Sequence, residues 1–275
     1  MNRRKFLKRV AIGSVVAGGV YPLLEAKWCR VNRVTVGIPH LPAPFEGTTV
    51  AVLTDVHHGP FVPRWYVRDV VAMTNSLKPD LVALVGDYCH DGTRYIAPAL
   101  EDLGKLQGRL GRFAALGNHD HWDGFFESVA GLEEAKIPLL RNSGTWLEKG
   151  SARLRICGVG DLWTDRVDVG EALGDATEQD AVIMLSHNPD VAETNRDPRV
   201  GLMLSGHTHG GQVVVPFYGA PRVPSRYGQK YLNGLVQAPH CQVFISRGVG
   251  TVTPPVRLLC PPEVVFLTLT RAIPT

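Results

Sequence analysis

Five short apolar runs lie between residues 49 and 209, and each breaks at its end into glycine, aspartate, asparagine or histidine: TVAVLTD, DLVALVGD, RFAALGNHD, AVIMLSHN and GLMLSGHTH. A continuous apolar run of this length predicts a strand buried on both faces. Between the first three lie PRWYVRDVVAMTNSLK and TRYIAPALEDLGKLQG, long enough for crossover helices and ending near Pro or Gly. That order is βαβ, and it sets each polar cluster just beyond a strand's carboxyl end, where α/β sheets gather functional groups. Farther on, RLRICGVGDLW, GQVVVP, CQVFISRG and EVVFLTLT read as strands joined by loops with little helix. The chain thus begins α/β and finishes strand-rich, which predicts two packed sheets flanked by helices, in one domain over residues 40–275.

A length of 275 residues, with 44% hydrophobic and 20% charged content, suits one well-buried globular domain. The formal charge of +3 changes meaning once it is located. Arg3, Arg4, Lys5, Lys8 and Arg9 are five of the 29 cations, and residues 1–26 hold only Glu25 of the 26 anions, so the remainder carries −1. A nucleic-acid binder needs a basic face on its folded domain, and this balance gives no support for one.

Those cations precede AIGSVVAGGVYPLL, an uncharged stretch shorter than the roughly 20 residues of a spanning helix. A basic segment before a short apolar run is the pattern of an export signal. Arg3-Arg4-Lys5-Phe6-Leu7-Lys8 resembles a twin-arginine signal, which implies the twin-arginine export machinery as a partner and the periplasm or the outer face of the cytoplasmic membrane as the destination. An anchoring amphipathic helix is the other reading. Ala26 would follow a cut, but Leu24 fits the small-residue rule poorly, and an uncleaved signal would tether the domain to the membrane. The five cysteines are scattered, without C-x-x-C, and read as small buried hydrophobes; one disulfide stays open.

The clusters, in order, are Asp55-x-His57, Gly86-Asp87, Gly117-Asn118-His119-Asp120, Ser186-His187-Asn188 and Gly206-His207-Thr208-His209. Each alone is weak, since a D-x-H or a G-D arises by chance. Together they bring carboxylates, an amide and several imidazoles to the ends of neighbouring strands. Unpaired ionisable groups gathered in one place are costly, whereas metal coordination satisfies them. Imidazole and carboxylate without thiolate suit Mn, Fe or Zn. A carboxylate can bridge two ions about 3.5–4 Å apart, and a hydroxide between such ions attacks phosphorus near neutral pH.

The succession D-x-H, G-D, G-N-H-[DE], H and G-H-x-H resembles that of the calcineurin-like metallophosphoesterases, with all five blocks present. The resemblance implies the four-layer α/β/β/α fold of that family and two divalent ions. It assigns Asp55, His57, Asp87 and His209 to one ion and Asp87, Asn118, His187 and His207 to the other, with Asp87 bridging. By the same likeness, His119 assists the leaving oxygen and Asp120 orients His119. The implied reaction is in-line hydrolysis of a phosphodiester, phosphomonoester or pyrophosphate. GHTHGGQVVVP, SHNPDVAE, SRYGQKY, ISRGVGT and CPPEVVFLTL resemble an exported or membrane-attached bacterial subgroup related to a UDP-2,3-diacylglucosamine pyrophosphatase of lipid A synthesis. A lipid-linked substrate is therefore an alternative to a small phosphate compound. It conflicts with the signal, because that nucleotide-linked lipid is met on the cytoplasmic face.

Other residues carry weaker readings. His58 reads as a residue behind the ligands or facing substrate, and otherwise as surface; His90, Asp91 and His121, beside the motif loops, read as ordinary loop residues with substrate contact as the other reading, and His40 and His240 as structural. Trp122 and Tyr227 are candidates for an apolar pocket, whereas Trp163 reads as core. Arg247, in a Gly-bounded turn, reads equally as a phosphate contact or an ion pair. A non-catalytic metal-binding protein on the same fold would usually lack a ligand, and here every position is filled.

Overall fold

The structure, a computed structural model, describes residues 19–272; the twin-arginine string at residues 3–8 lies outside the described residues. In chain order the strands are β1 (Arg30–Ile38), β2 (Thr49–Leu53), β3 (Leu81–Val85), β4 (Gly111–Ala115), β5 (Ser143–Lys149), β6 (Ala152–Gly158), β7 (Val182–Leu185), β8 (Leu202–Ser205), β9 (Gly234–Gln237), β10 (Gln242–Ile245) and β11 (Glu263–Arg271). They form a five-stranded sheet, β1-β11-β2-β3-β4, and a six-stranded sheet, β5-β6-β7-β8-β10-β9. Both are mixed: β2, β3 and β4 run parallel, as do β6, β7, β8 and β10, while β11 is antiparallel to β2 and β5 to β6.

Side-chain alternation explains the layering. Val50 and Val52 of β2 point between the sheets, with Ile183 and Leu185 of β7 and Leu202 and Leu204 of β8. Ala51 and Leu53 point the other way, onto the helices Arg64–Ser76, Ile96–Leu103 and Asn118–Glu134 through Val67, Leu100 and Leu132. On the second sheet Met184 and Met203 face Leu173 and Val191 of the short helices. Strands buried on both faces must be apolar at every position, which is why the runs are continuous. Two mixed sheets between helices agree with the expected fold class.

Two expectations are corrected. The folded domain begins before residue 40: β1 pairs parallel with β11 along its whole length, and Glu25 is buried, accepting the backbone N–H groups of Leu259 and Cys260. GQVVVP forms no extended strand, only single bridges from Val213 to Leu258 and Val215 to Gly219. Pro216 has no N–H to pair, and Phe217 turns the chain at φ 67°. The helical segment Asn118–Glu134, broken at Gly124, goes unread in the sequence because catalytic-type residues open it. Among the described residues no cysteine is paired, and no helix is long and apolar enough to cross a membrane.

The helical layer is tied by a carboxylate far from the clusters. Asp102 is fully covered, yet accepts from Arg64 Nε (2.5 Å), Arg68 Nε (3.1 Å) and Lys105 Nζ (2.6 Å). Burial would raise this carboxyl, but the hydrogen bonds from Arg64, Lys105 and Arg68 outweigh it and bring it down to about 2. A depressed folded-state value means stability present above the ordinary value near 4 and lost as pH falls toward 2. Because the cationic partners are partly exposed, solvent screening leaves a contribution of about 1 kcal/mol. Asp102→Asn should therefore be less stable than the parent at pH 7, with the gap closing as pH falls from about 4 to 2. Urea unfolding across that range measures it, and a pH-independent gap would refute the linkage.

Candidate active site

Every cluster follows a strand end on one edge of the sandwich: Asp55 and His57 after β2, Asp87 after β3, Asn118 and His119 after β4, His187 after β7, His207 and His209 after β8. Parallel strands in both sheets put these ends side by side. Two glycines permit the approach. A Cβ at Gly117 would stand 2.3 Å from Asp87 Oδ1, and one at Gly206 would stand 1.9 Å from Thr54 Oγ1. The backbone itself is strained, with Asp55 (φ 52°), His57 (48°), Asp87 (58°), His207 (68°) and His209 (53°) all left-handed. Such positions cost on the order of 1–3 kcal/mol each and cluster where geometry serves function.

The side chains resolve into two buried triads, Asp55–His57–His209 and Asp87–His187–His207. In the first, His57 Nε2 and His209 Nε2 are 3.1 Å apart, and Asp55 Oδ1 is 3.2 Å from His209 Nε2. In the second, Asp87 Oδ2 is 3.1 Å from His187 Nε2; the same oxygen is 3.5 Å from His57 Nε2, so Asp87 lies between the triads. Its other oxygen accepts the His119 backbone N–H at 2.8 Å. Asp55 is held by the Thr54 hydroxyl (2.7 Å) and the His207 N–H (3.0 Å). His187 Nδ1 lies 2.7 Å from Val85 O, which makes Nδ1 a donor and turns Nε2 inward toward Asp87.

This donor set fits divalent cations. His187 Nε2, His207 Nε2 and Asn118 Oδ1 are buried with no hydrogen-bond partner among the described residues. Burial pushes His57 and His209 well below the ordinary imidazole range and His207 down to about 3, so these rings are neutral donors of electron pairs. Burial also lifts Asp55 to about 6. It works against Asp87 too, but the charge and hydrogen bond of His187, a ring that Asp87 and Asp55 hold well above the ordinary imidazole range against its burial, keep that carboxyl well below the usual range. Two carboxylates and four imidazoles, shared around one central oxygen, call for positive charge.

All nine expected site residues meet at this edge, but the role expected of Asp120 changes. Its carboxylate accepts three backbone N–H groups, from Asp87 (2.7 Å), Gly117 (2.8 Å) and Tyr88 (2.8 Å), and makes no hydrogen bond to the His119 ring. It sits under the helix start and locks the loop carrying Asp87 to the loop carrying Asn118. His119 Nδ1 instead lies 3.2 Å from His90 Nδ1 and 3.5 Å from Asp123 Oδ2. Asp123 stands four residues on, one helical turn away, a spacing that could have revealed it. Asp120→Asn would set an amide N–H₂ against a backbone donor. It should weaken metal binding about 10–100-fold with the fold retained, measured by competition with a chelator; unchanged affinity would remove Asp120 from the metal scaffold.

A cleft of about 400 Å³ opens from the triads, lined in part by His119, Trp122, Trp163, Val213, Arg222 and Pro254. Trp163 is not core: it is half-exposed and stands edge-on to His207, ring centroids 4.2 Å apart. The Asp161 carboxylate, accepting its backbone N–H at 2.9 Å, makes the turn that places it. Trp122 lies as expected at the cleft, 5.1 Å from His119, whereas Tyr227 packs on Tyr231. His90 is no ordinary loop residue, given its contact with His119. His58 turns away, its Nδ1 2.8 Å from Val62 O. Arg247 is ion-paired with Glu263 (Nε–Oε2 2.9 Å) and does not line the cleft; Arg222 does, and sequence reasoning missed it.

Comparison with known proteins agrees with this arrangement. Residues 48–211 match the calcineurin-like phosphoesterase family. The chain is 31% identical to the uncharacterized metallophosphoesterase YkuE of Bacillus subtilis (strain 168), over 98% of both chains. It is 33% identical to the phosphodiesterase YaeI of Escherichia coli (strain K12), over 98% of this chain and 99% of that one. Among solved structures, a 5'-nucleotidase precursor from Thermus thermophilus matches at TM-score 0.47 and 17% identity, over 80% of this chain and 54% of that one.

Proposed function

The chain belongs to the calcineurin-like phosphoesterase family and is a metal-dependent phosphoester hydrolase, and from that premise we propose that the two triads sharing Asp87 are its catalytic centre. Asp55, His57 and His209 would hold one divalent ion, and His187, His207 and Asn118 the other, with Asp87 between them. When bound, the ions supply Lewis-acid charge and a nucleophile of hydroxide strength near neutral pH. Asn118 opens the helical segment that runs to a break at Gly124 (φ 159°) and so presents its side chain at the strand end beside Asp87. His119 lines the cleft; with Nδ1 turned to His90 and Asp123, its Nε2 donates a proton to the departing oxygen. Trp122 and Trp163 wall the leaving-group side and exclude water from it.

The observation that carries this reading is the position of Asp87 Oδ2 between His187 and His57. The substrate is a phosphodiester, phosphomonoester or pyrophosphate. A second reading, cleavage of UDP-2,3-diacylglucosamine, draws on the apolar cleft wall, which would accept an acyl chain. Protein loaded with Mn, Fe or Zn, assayed on a generic aryl phosphodiester beside UDP-diacylglucosamine, separates the two. Metal-replete protein inert on both would defeat the catalytic reading. We further propose that residues 1–26 form a twin-arginine export address, placing the reaction outside the cytoplasm. A topology reporter fused after residue 275 that stays active only in the cytoplasm would refute it.

A further inference from the structure

The amino-terminal face of the domain carries apolar side chains that the fold does not cover. Residues 19–25 are helical, and Leu23, Leu24 and Trp28 stand half or more exposed. Lys27 connects them to the neighbouring loop and helix, since its amine reaches the carbonyl of Phe61 and lies 5.4 Å from the Tyr66 ring. Beside Tyr66 is Trp65, 56% exposed, and Phe61 is itself exposed. On the other flank, Glu25 accepts the N–H of Leu259, whose side chain is 53% exposed. Leu23, Leu24, Trp28, Phe61, Trp65 and Leu259 thus stand on segments that Lys27, Tyr66 and Glu25 tie together, and a cluster of exposed apolar side chains marks an interaction site.

We propose that this face docks on a lipid bilayer, so that the folded domain makes a membrane contact of its own, in addition to anything the preceding residues provide. Three observations select a bilayer over a protein partner. Tryptophans mixed with aliphatic side chains suit the headgroup boundary, where an amphipathic ring keeps its N–H wet. Exposed Arg30 stacks on the Trp28 ring at 4.1 Å and the Lys27 amine lies beside Phe61 and Tyr66, so cations border the apolar patch as anionic headgroups require. The uncharged stretch of residues 11–24, preceded by five cations, leads directly into this face. A single weak lipid contact holds a protein only marginally, and two together hold it stably.

The face also has a covalent link to the cleft. Val252, Thr253 and Pro254 line the cleft, and a few residues later the same segment clasps the amino-terminal helix through Arg257 N–H to Pro22 O and through Leu259 and Cys260 to Glu25. Docking would therefore bear on the segment that forms one wall of the cleft.

The test uses the full chain and vesicles of phosphatidylcholine and phosphatidylglycerol with brominated acyl chains, which quench tryptophans seated at the boundary. Quenching of the bound protein is expected, and W28F/W65F should lose most of it while still binding. W28E/W65E should partition at least about tenfold more weakly, since two buried rings become charged, with unchanged hydrolysis of a soluble aryl phosphodiester. Absence of quenching, or quenching that survives W28F/W65F and so belongs to other tryptophans, overturns the proposal. So does a lipid-free dimer that W28E/W65E dissociates, which would make the occupant a second copy of the chain.

Discussion

Replacing Asp87 by asparagine is expected to lower kcat by about 10³-fold or more and to leave the protein folded with fewer than two ions bound. The substitution is unusually clean. Asparagine tolerates the left-handed backbone at φ 58°, and its amide oxygen can still accept the His119 N–H now bonded to Oδ1. What disappears is the second anionic oxygen, the one that His187 Nε2 and His57 Nε2 approach from either side. Its loss separates the triads. Turnover and metal per chain, measured on the same sample, decide the matter: a variant holding two ions with kcat within tenfold of the parent would show that Asp87 does not join the sites.

His119→Ala is expected to act differently, leaving both ions in place and slowing the chemical step by about 10²–10⁴-fold. The His119 side chain lies outside the two fully buried triads and groups instead with His57 and partly exposed His90, and its backbone N–H to Asp87 survives the change. A proton donor matters most when the leaving oxygen is basic. The loss should therefore be large for an alkyl ester and small for a nitrophenyl ester, whose anion departs unaided. An equal loss on both, or loss of metal, would deny His119 the proton-transfer role.

Much of the layered fold was legible because a strand buried on both faces leaves no freedom of pattern: β2, β3, β4, β7 and β8 could be read from continuous apolar runs. β6, β10 and β11 were legible too, within RLRICGVGDLW, CQVFISRG and EVVFLTLT, whereas β1, β5 and β9 were not. β1 and β5 are half-exposed at sheet edges, and β9 alternates without strong hydrophobicity. Ligand-type residues were legible because histidine and aspartate just past a strand have few structural reasons to be there. The supports were not. Asp120 binding backbone N–H groups, Asp123 one turn along the helix from His119, and Trp163 turned out over His207 depend on dihedral angles and loop paths. Arg222 and Arg247 show the same limit, since which arginine faces the cleft depends on whether Glu263 is near enough to capture it.

The position of β11 has a consequence for the order of events during synthesis. This last strand lies between β1 and β2, and among the described residues it is the only partner of β1 in the first sheet. The edge that carries Asp55 and His57 therefore cannot be braced on that side until residue 271 has left the ribosome. A growing chain would leave one edge of β2 unpaired, and any cation acquired by the early ligands would be held without His207, His209 or the closing strand. Full occupancy of the centre then waits for β11, and pulse-labelled nascent chains stalled before residue 263 should remain chelator-sensitive where chains with residue 271 clear of the ribosome do not.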